Sequence, residues 1–307
     1  MTLEDCLQRF AALGEHEIPW VWTHDGGAGP HAVFGGIVHG VEVGPVPGLL
    51  AIAEALRDGT LTFAGRASFF LGNVEAAKRG QRLVEADLNR VFVPEGESLE
   101  HRRARQLMPL LDAADVFVDF HQTSRPAAQP FWIGPWTQPI HDLIAPLGGA
   151  EVWTTRAPGQ SFQAGTCCGD EYARAQGATA ITLELGLNGF TELAAARAEH
   201  VVRGVLAGFH GERPAPLPLE LFVDAGTIPF DDPMLALREG FENFEPVQAG
   251  QELAAPGATS LPCPADGALL FPKYPERDAS GAALDPRPIT LAHIVRPLGE
   301  DPAVLWG

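Results

Sequence analysis

A regular alternation of short apolar runs with helical ones constrains this chain more than any other feature. Residues 32–38 (AVFGGIV) read as a buried strand. Residues 45–56 (PVPGLLAIAEAL) read as a helix whose prolines fall in the first turn, where a missing N–H costs nothing. The exchange continues with a strand near 67–71, a helix over 99–111, a strand over 116–120 (VFVDF), a helix over 171–177, a strand over 179–185 and a helix over 194–206. Alternation of this kind builds an α/β domain around a largely parallel sheet. Residues 1–14 read as a short amphipathic helix. Glu4 and Asp5 stand early and no basic stretch precedes an apolar core, so a signal peptide is not expected.

The pattern changes near Arg213. Residues 213–218 (RPAPLP) read as a linker, and short apolar runs broken by Gly, Pro and Asp follow. This divides the chain into an α/β domain over 1–213 and a smaller β-rich domain over 214–307. No apolar stretch reaches the length that spans a bilayer, so no membrane partner is expected. The net charge of −18 disfavours nucleic acid, which needs basic surface, while a few arginines in one cleft still suffice for a small anion. The four cysteines, Cys6, Cys167, Cys168 and Cys263, form no C-x-x-C pair. They are expected as reduced thiols in a cytoplasmic protein. Whether the chain forms a homo-oligomer is left open.

Four segments carry chemistry. In 35–45 (GGIVHGVEVGP) a strand ends and His39 and Glu42 follow, at the place where open α/β sheets build ligand sites. Imidazole and carboxylate both suit zinc, although His-x-x-Glu alone recurs in many chains. His121, in VFVDFHQT, follows a second strand, and Asp119 two residues earlier projects to the same side. It is either a hydrogen-bonded histidine at a strand end or a third ligand, with Asp119 orienting its ring. His₂Glu is the catalytic zinc set of carboxypeptidase A. In 82–92 (RLVEADLNRVF) Asn89 and Arg90 stand side by side, as a carboxylate clamp or as a surface Arg beside a capping Asn. In AITLELG, Glu184 sits on an apolar strand, either salt-bridged or as a general base. No G-x-S-x-G elbow, P-loop, H-E-x-x-H or P-C-x-x-C signature is present.

Together these segments resemble the succinylglutamate desuccinylase/aspartoacylase family, which shares its fold with the zinc carboxypeptidases. The family order is H-G-x-E, D-L-N-R-x-F, D-x-H and a strand Glu before Gly. Here these are His39-Gly40-Val41-Glu42, DLNRVF from Asp87 to Phe92, Asp119-Phe120-His121 and Glu184-Leu185-Gly186. The resemblance covers roughly 30–210, and PVQAGQELA and ALLFPKY extend it more weakly into the family's C-terminal β domain. It implies a zinc-carboxypeptidase-like mixed sheet flanked by helices, zinc held by His39, Glu42 and His121, and hydrolysis of the amide bond of a small N-acyl amino acid. By the same resemblance Glu184 is the general base and Arg82 polarises the scissile carbonyl. Asn89 and Arg90 hold the substrate carboxylate, and Arg174 meets an acidic substrate side chain. The family's C-terminal tyrosine has no clear counterpart, since Tyr274 is offset. A metallocarboxypeptidase acting on peptides and a non-catalytic zinc-dependent binding protein are the alternatives.

Overall fold

The computed structural model describes residues 1–156, 165–284 and 288–298. Its elements run in chain order α1 (Leu3–Ala11), β1 (Val21–Asp25), β2 (His31–Gly36), α2 (Val46–Arg57), β3 (Arg66–Leu71), α3 (Val74–Lys78), α4 (Leu99–Asp112), β4 (Val116–Thr123), β5 (Phe131–Ile133) and α5 (Gln138–Ile144). They continue with β6 (Val152–Thr155), α6 (Gly169–Ala175), β7 (Thr179–Leu187), α7 (Glu192–Phe209), β8 (Glu220–Pro229), β9 (Pro246–Val247), β10 (Gly267–Leu270) and β11 (Thr290–Pro297). The strands form one mixed sheet in the order β1-β3-β2-β4-β7-β5-β6-β8-β11-β10-β9. The expected parallel core is present as β3-β2-β4-β7. β1 flanks it antiparallel to β3, and β5 runs antiparallel to β7.

The alternation predicted for the α/β part holds, with two differences that matter for the site. β4 extends through Thr123, so His121 lies within the strand and not just after it. β2 stops at Gly36, so His39 is presented from a loop. β1, β5 and β6 escape the sequence pattern because each is short and lies beside strands that supply most of its contacts.

Strand periodicity divides the core between two layers. Val116, Val118 and Phe120 of β4 and Ile181, Leu183 and Leu185 of β7 pack against α2, α5 and α7. Phe117 and Ala180 pack on the opposite face against α4 and α6. Because Phe117, Asp119 and His121 alternate in step, and Ala180, Thr182 and Glu184 do likewise, the polar groups emerge on the α4/α6 face. β8 pairs with β6 in parallel and carries the sheet into residues after 214. A separate apolar cluster there gathers Ile228, Leu253, Leu269 and Leu291. Asn243 ties this region to the loop after β4, its Nδ2 donating to the carbonyls of Arg125 and Pro126 at 3.0 and 3.1 Å. Among the described residues no helix is long and apolar enough to cross a membrane.

Candidate active site

The loop leaving β2 begins with Ile37 at φ 54, fully buried. A β-branched residue in the left-handed region is an outlier that costs about 1–2 kcal/mol. The turn it makes is held by Asn73 N donating to Ile37 O at 2.6 Å. Gly40 follows because the backbone is crowded there: an added Cβ would lie 2.4 Å from both Ala77 N and Gln81 O. This packing sets His39 and Glu42 under the end of the sheet, His39 4% and Glu42 2% exposed.

The three expected ligands converge. His39 Nδ1 lies 2.7 Å from Glu42 Oε1, and His121 Nδ1 lies 2.8 Å from Glu42 Oε2. One potential ligand atom from each residue falls within 4.8 Å of the other two. The outward nitrogens each meet a carboxylate, His39 Nε2 at 3.0 Å from Asp87 Oδ1 and His121 Nε2 at 2.9 Å from Asp119 Oδ2. Ligating histidines use their second N–H in this way, which leaves both Nδ1 lone pairs to face the centre. Burial alone would raise the Glu42 pKa, but the charges of His39 and His121 outweigh it and hold the carboxylate well below its ordinary range. Burial likewise opposes a charged His121, and Asp119 and Glu42 raise its pKa well above normal all the same. A buried centre with this much negative charge, built from two imidazoles and a carboxylate, fits a zinc ion.

Glu184 stands in register with His121 across the β4–β7 pair. Its Oε2 is buried and has no hydrogen-bond partner among the described residues. Burial raises its pKa to about 8, the Glu42 charge adding to the rise and the His121 charge opposing it. An orphaned carboxyl oxygen aimed into a polar centre needs a reason, and proton transfer is one.

Arg82 lies on the cluster itself, Nη1 donating to Glu42 Oε1 at 3.1 Å and Nη2 2.8 Å from His39 Nε2. That nitrogen cannot both donate to Asp87 and accept from Arg82. The carboxylate is the stronger partner, so Arg82 is held by Glu42 and by Asp87 Oδ2 at 3.5 Å. Asp87 also accepts from Asn89 N at 2.9 Å, which opens the 3-10 turn Leu88–Arg90. Asn89 Oδ1 accepts from Gly169 N at 3.1 Å, which commits its oxygen. Arg90 Nη1 donates to Asn89 O at 2.6 Å and lies 3.4 Å from Cys168 Sγ. All four cysteines are free thiols, and burial pushes Cys167 up to about 11.

Arg174 does not reach the His–Glu–His cluster. Its Nη1 donates to Asp170 Oδ2 and to Ala180 O, both at 2.7 Å. Tyr274 also turns away, donating to Arg238 O and accepting from Phe241 N, each at 3.0 Å. The residue of this segment whose charge lies near Arg82, Arg90 and Asp87 is Lys273, which sequence reasoning missed. Its Nζ donates to Thr290 Oγ1 at 3.2 Å. Burial lowers its pKa to about 8, with the charges of Arg90 and Arg82 adding to the fall. Its only signal was its place beside Tyr274 in FPKY. Gln122 was missed too: Oε1 accepts from Gly44 N at 2.7 Å, and Nε2 donates to Leu187 O and Gly189 O.

Known proteins resemble this chain in sequence and fold. A family model described as the succinylglutamate desuccinylase/aspartoacylase catalytic domain matches residues 28–209. The succinylglutamate desuccinylase of Pseudomonas paraeruginosa is 32% identical over 206 residues, 61% of this chain and 59% of its own length. The chain therefore matches about three-fifths of that relative. The enzyme of that name from Burkholderia lata is 31% identical over 248 residues, 72% of this chain and 68% of its own. Crystal structures of succinylglutamate desuccinylases from Vibrio cholerae and Chromobacterium violaceum each superpose with a TM-score of 0.70 at 19% and 20% identity, covering 94% and 91% of this chain and 94% and 89% of theirs. The family model spans more than half of the chain and, with the 31% identity to the Burkholderia lata enzyme over 72% of it, places the chain in the succinylglutamate desuccinylase/aspartoacylase family.

Proposed function

We propose that the protein is a zinc-dependent deacylase that hydrolyses the amide bond of an N-acyl amino acid or similar small carboxylate. The observation that carries this reading is Glu184, a buried carboxyl with an unpartnered oxygen in register with His121. His39, Glu42 and His121 would hold the ion. Zinc in such a set lowers the pKa of a water and polarises a carbonyl. Glu184 takes a proton from the attacking water and passes it to the leaving amine. Positive charge in the cluster lowers the Glu184 pKa from about 8 toward the range where a base works at neutral pH. Arg82, fixed beside Glu42, stabilises the oxyanion. Asn89 Nδ2 and the Arg90 guanidinium orient the substrate carboxylate, and Arg174 meets an acidic side chain with the nitrogens that Asp170 and Ala180 do not use.

The same proposal treats 1–213 as the hydrolase domain and 214–307 as a β-rich unit that narrows the cleft. The Asn243 anchor to the loop after β4 supports that role. Four free thiols suit a reducing, cytoplasmic compartment. The test is a panel of N-acetyl and N-succinyl amino acids presented to zinc-loaded protein, with release of the free amino acid as the readout. Turnover of a panel member at a rate removed by chelation is expected. Preferential release of C-terminal residues from peptides would make it a carboxypeptidase, and zinc binding with no turnover of either class would make it a binding protein.

A further inference from the structure

Glu100 lies in the first turn of α4, yet it does not cap that helix. Ser98 does, its hydroxyl accepting from His101 N. Glu100 is 1% exposed and its carboxylate serves another segment altogether. Oε1 accepts from Val84 N at 2.7 Å and from Asn73 Nδ2 at 2.9 Å. Oε2 accepts from Ala86 N at 3.0 Å, and Glu85 N is shared between the two oxygens at 3.3 and 3.2 Å. Successive backbone N–H groups converging on one anion form a nest. Residues 84–86 belong to no helix or strand. Their backbone donors have no strand or helix partner, and Glu100 satisfies all three. Burial pushes the Glu100 pKa up, but the hydrogen bonds from Val84, Asn73 and Ala86 outweigh it, so the carboxylate stays ionised in place.

What this nest holds is the stretch between Arg82, which binds Glu42, and Asp87, which binds His39. Arg82 lies two residues before Val84 and binds Glu42 and Asp87. Asp87 follows Ala86 directly and lies 3.0 Å from His39 Nε2. Asn73, the remaining donor to Glu100, receives the strained exit of β2 through its own N–H to Ile37 O. One carboxylate therefore connects the loop that presents His39 with the loop that orients it.

We propose that Glu100 is a positioning residue that holds Asp87 and Arg82 in register with His39, and so sets the zinc affinity of the site without touching ion or substrate. This rests on the reading of His39, Glu42 and His121 as a zinc site. The test compares wild type with Glu100→Gln, Glu100→Asp and Leu107→Ala. Gln keeps the shape but points an NH₂ group at backbone donors; Asp keeps the charge but is one methylene short. Leu107 is buried on the same helix and its side chain accepts no hydrogen bond, so Leu107→Ala destabilises without removing an acceptor from 84–86. Zinc affinity is read by chelator competition, and amide exchange at 84–86 is read alongside it. Because loss of an outer-shell partner weakens metal binding 10–100-fold, Glu100→Gln, one step further out, is expected to weaken zinc about tenfold. It should also speed exchange at 84–86, with Glu100→Asp intermediate and Leu107→Ala close to wild type in both. Wild-type affinity in a folded Glu100→Gln protein overturns the inference, and so does an equal loss in Leu107→Ala. If Glu100→Gln does not fold, Glu100→Asp decides by the same comparison. A wild type that holds no zinc removes the zinc reading, and this inference with it; that outcome is distinct from a zinc-binding wild type whose Glu100 variants match it.

Discussion

Replacing Glu184 by Gln moves stability and activity in opposite directions if the carboxyl is there for catalysis. In the structure its pKa is raised from 4.5 to about 8, first by burial. Below pH 4.5 the folded and unfolded chains both hold the proton and the carboxyl costs nothing. Between 4.5 and 8 the unfolded chain gives it up while the folded one keeps it. Stability therefore falls as pH rises through that window, by about 1.4 kcal/mol per pH unit. At pH 7 the accumulated cost is roughly 3 kcal/mol, an upper figure for a carboxyl this close to other charges. Gln carries no such cost. Metal-stripped Glu184→Gln should be more stable than metal-stripped wild type at pH 7, by up to about 3 kcal/mol, and no more stable near pH 4. The zinc-loaded variant should keep its metal while kcat falls roughly 10²–10⁴-fold, with KM little changed. Urea unfolding at both pH values, zinc content and kcat on one preparation decide the matter. A variant less stable at pH 7 than wild type points to a structural Glu184. A folded, zinc-loaded variant with near-normal kcat removes Glu184 from the reaction.

Elemental analysis should find about one zinc per chain in wild type and none held tightly by His121→Ala, as the three-ligand open site requires; stoichiometric zinc in the His39→Ala/His121→Ala double variant refutes the ligand set. Amidating the substrate carboxylate, or changing Arg90 to Ala, should lower kcat/KM by roughly 10–100-fold, the worth of a charged hydrogen bond; equal rates on acid and amide exclude Arg90 as the clamp. Arg174→Ala should harm acidic amino-acid substrates more than neutral ones, and an equal effect on both leaves it as the partner of Asp170. Gly40→Ala should cost about 1–3 kcal/mol and weaken zinc, because the new methyl meets backbone atoms of Ala77 and Gln81 that cannot turn aside; an unchanged melting temperature and affinity refute the crowding argument.

Much of this was readable from local pattern. Period two along VFVDFHQT already put Asp119 and His121 on one side of a strand, and the structure pairs them at 2.9 Å. The apolar run around Glu184 foretold a buried carboxyl, because Ile181, Leu183 and Leu185 mark a buried strand. Other features lay beyond the reach of pattern. Arg82 and Asp87 sit 43 and 48 residues from His39, and nothing local says that they meet there. Tyr274 and Lys273 are neighbours in one segment, and only tertiary packing gave the tyrosine to Phe241 and Arg125 and brought the lysine's charge near Arg82 and Arg90. Glu100 carries no signal in the sequence, since the three amides it binds belong to another loop. Side-chain periodicity is a property of a single element and is written in its residues. Which loop a buried charge serves depends on long-range chain closure, and that was decided only when α4 packed beside the 84–86 segment.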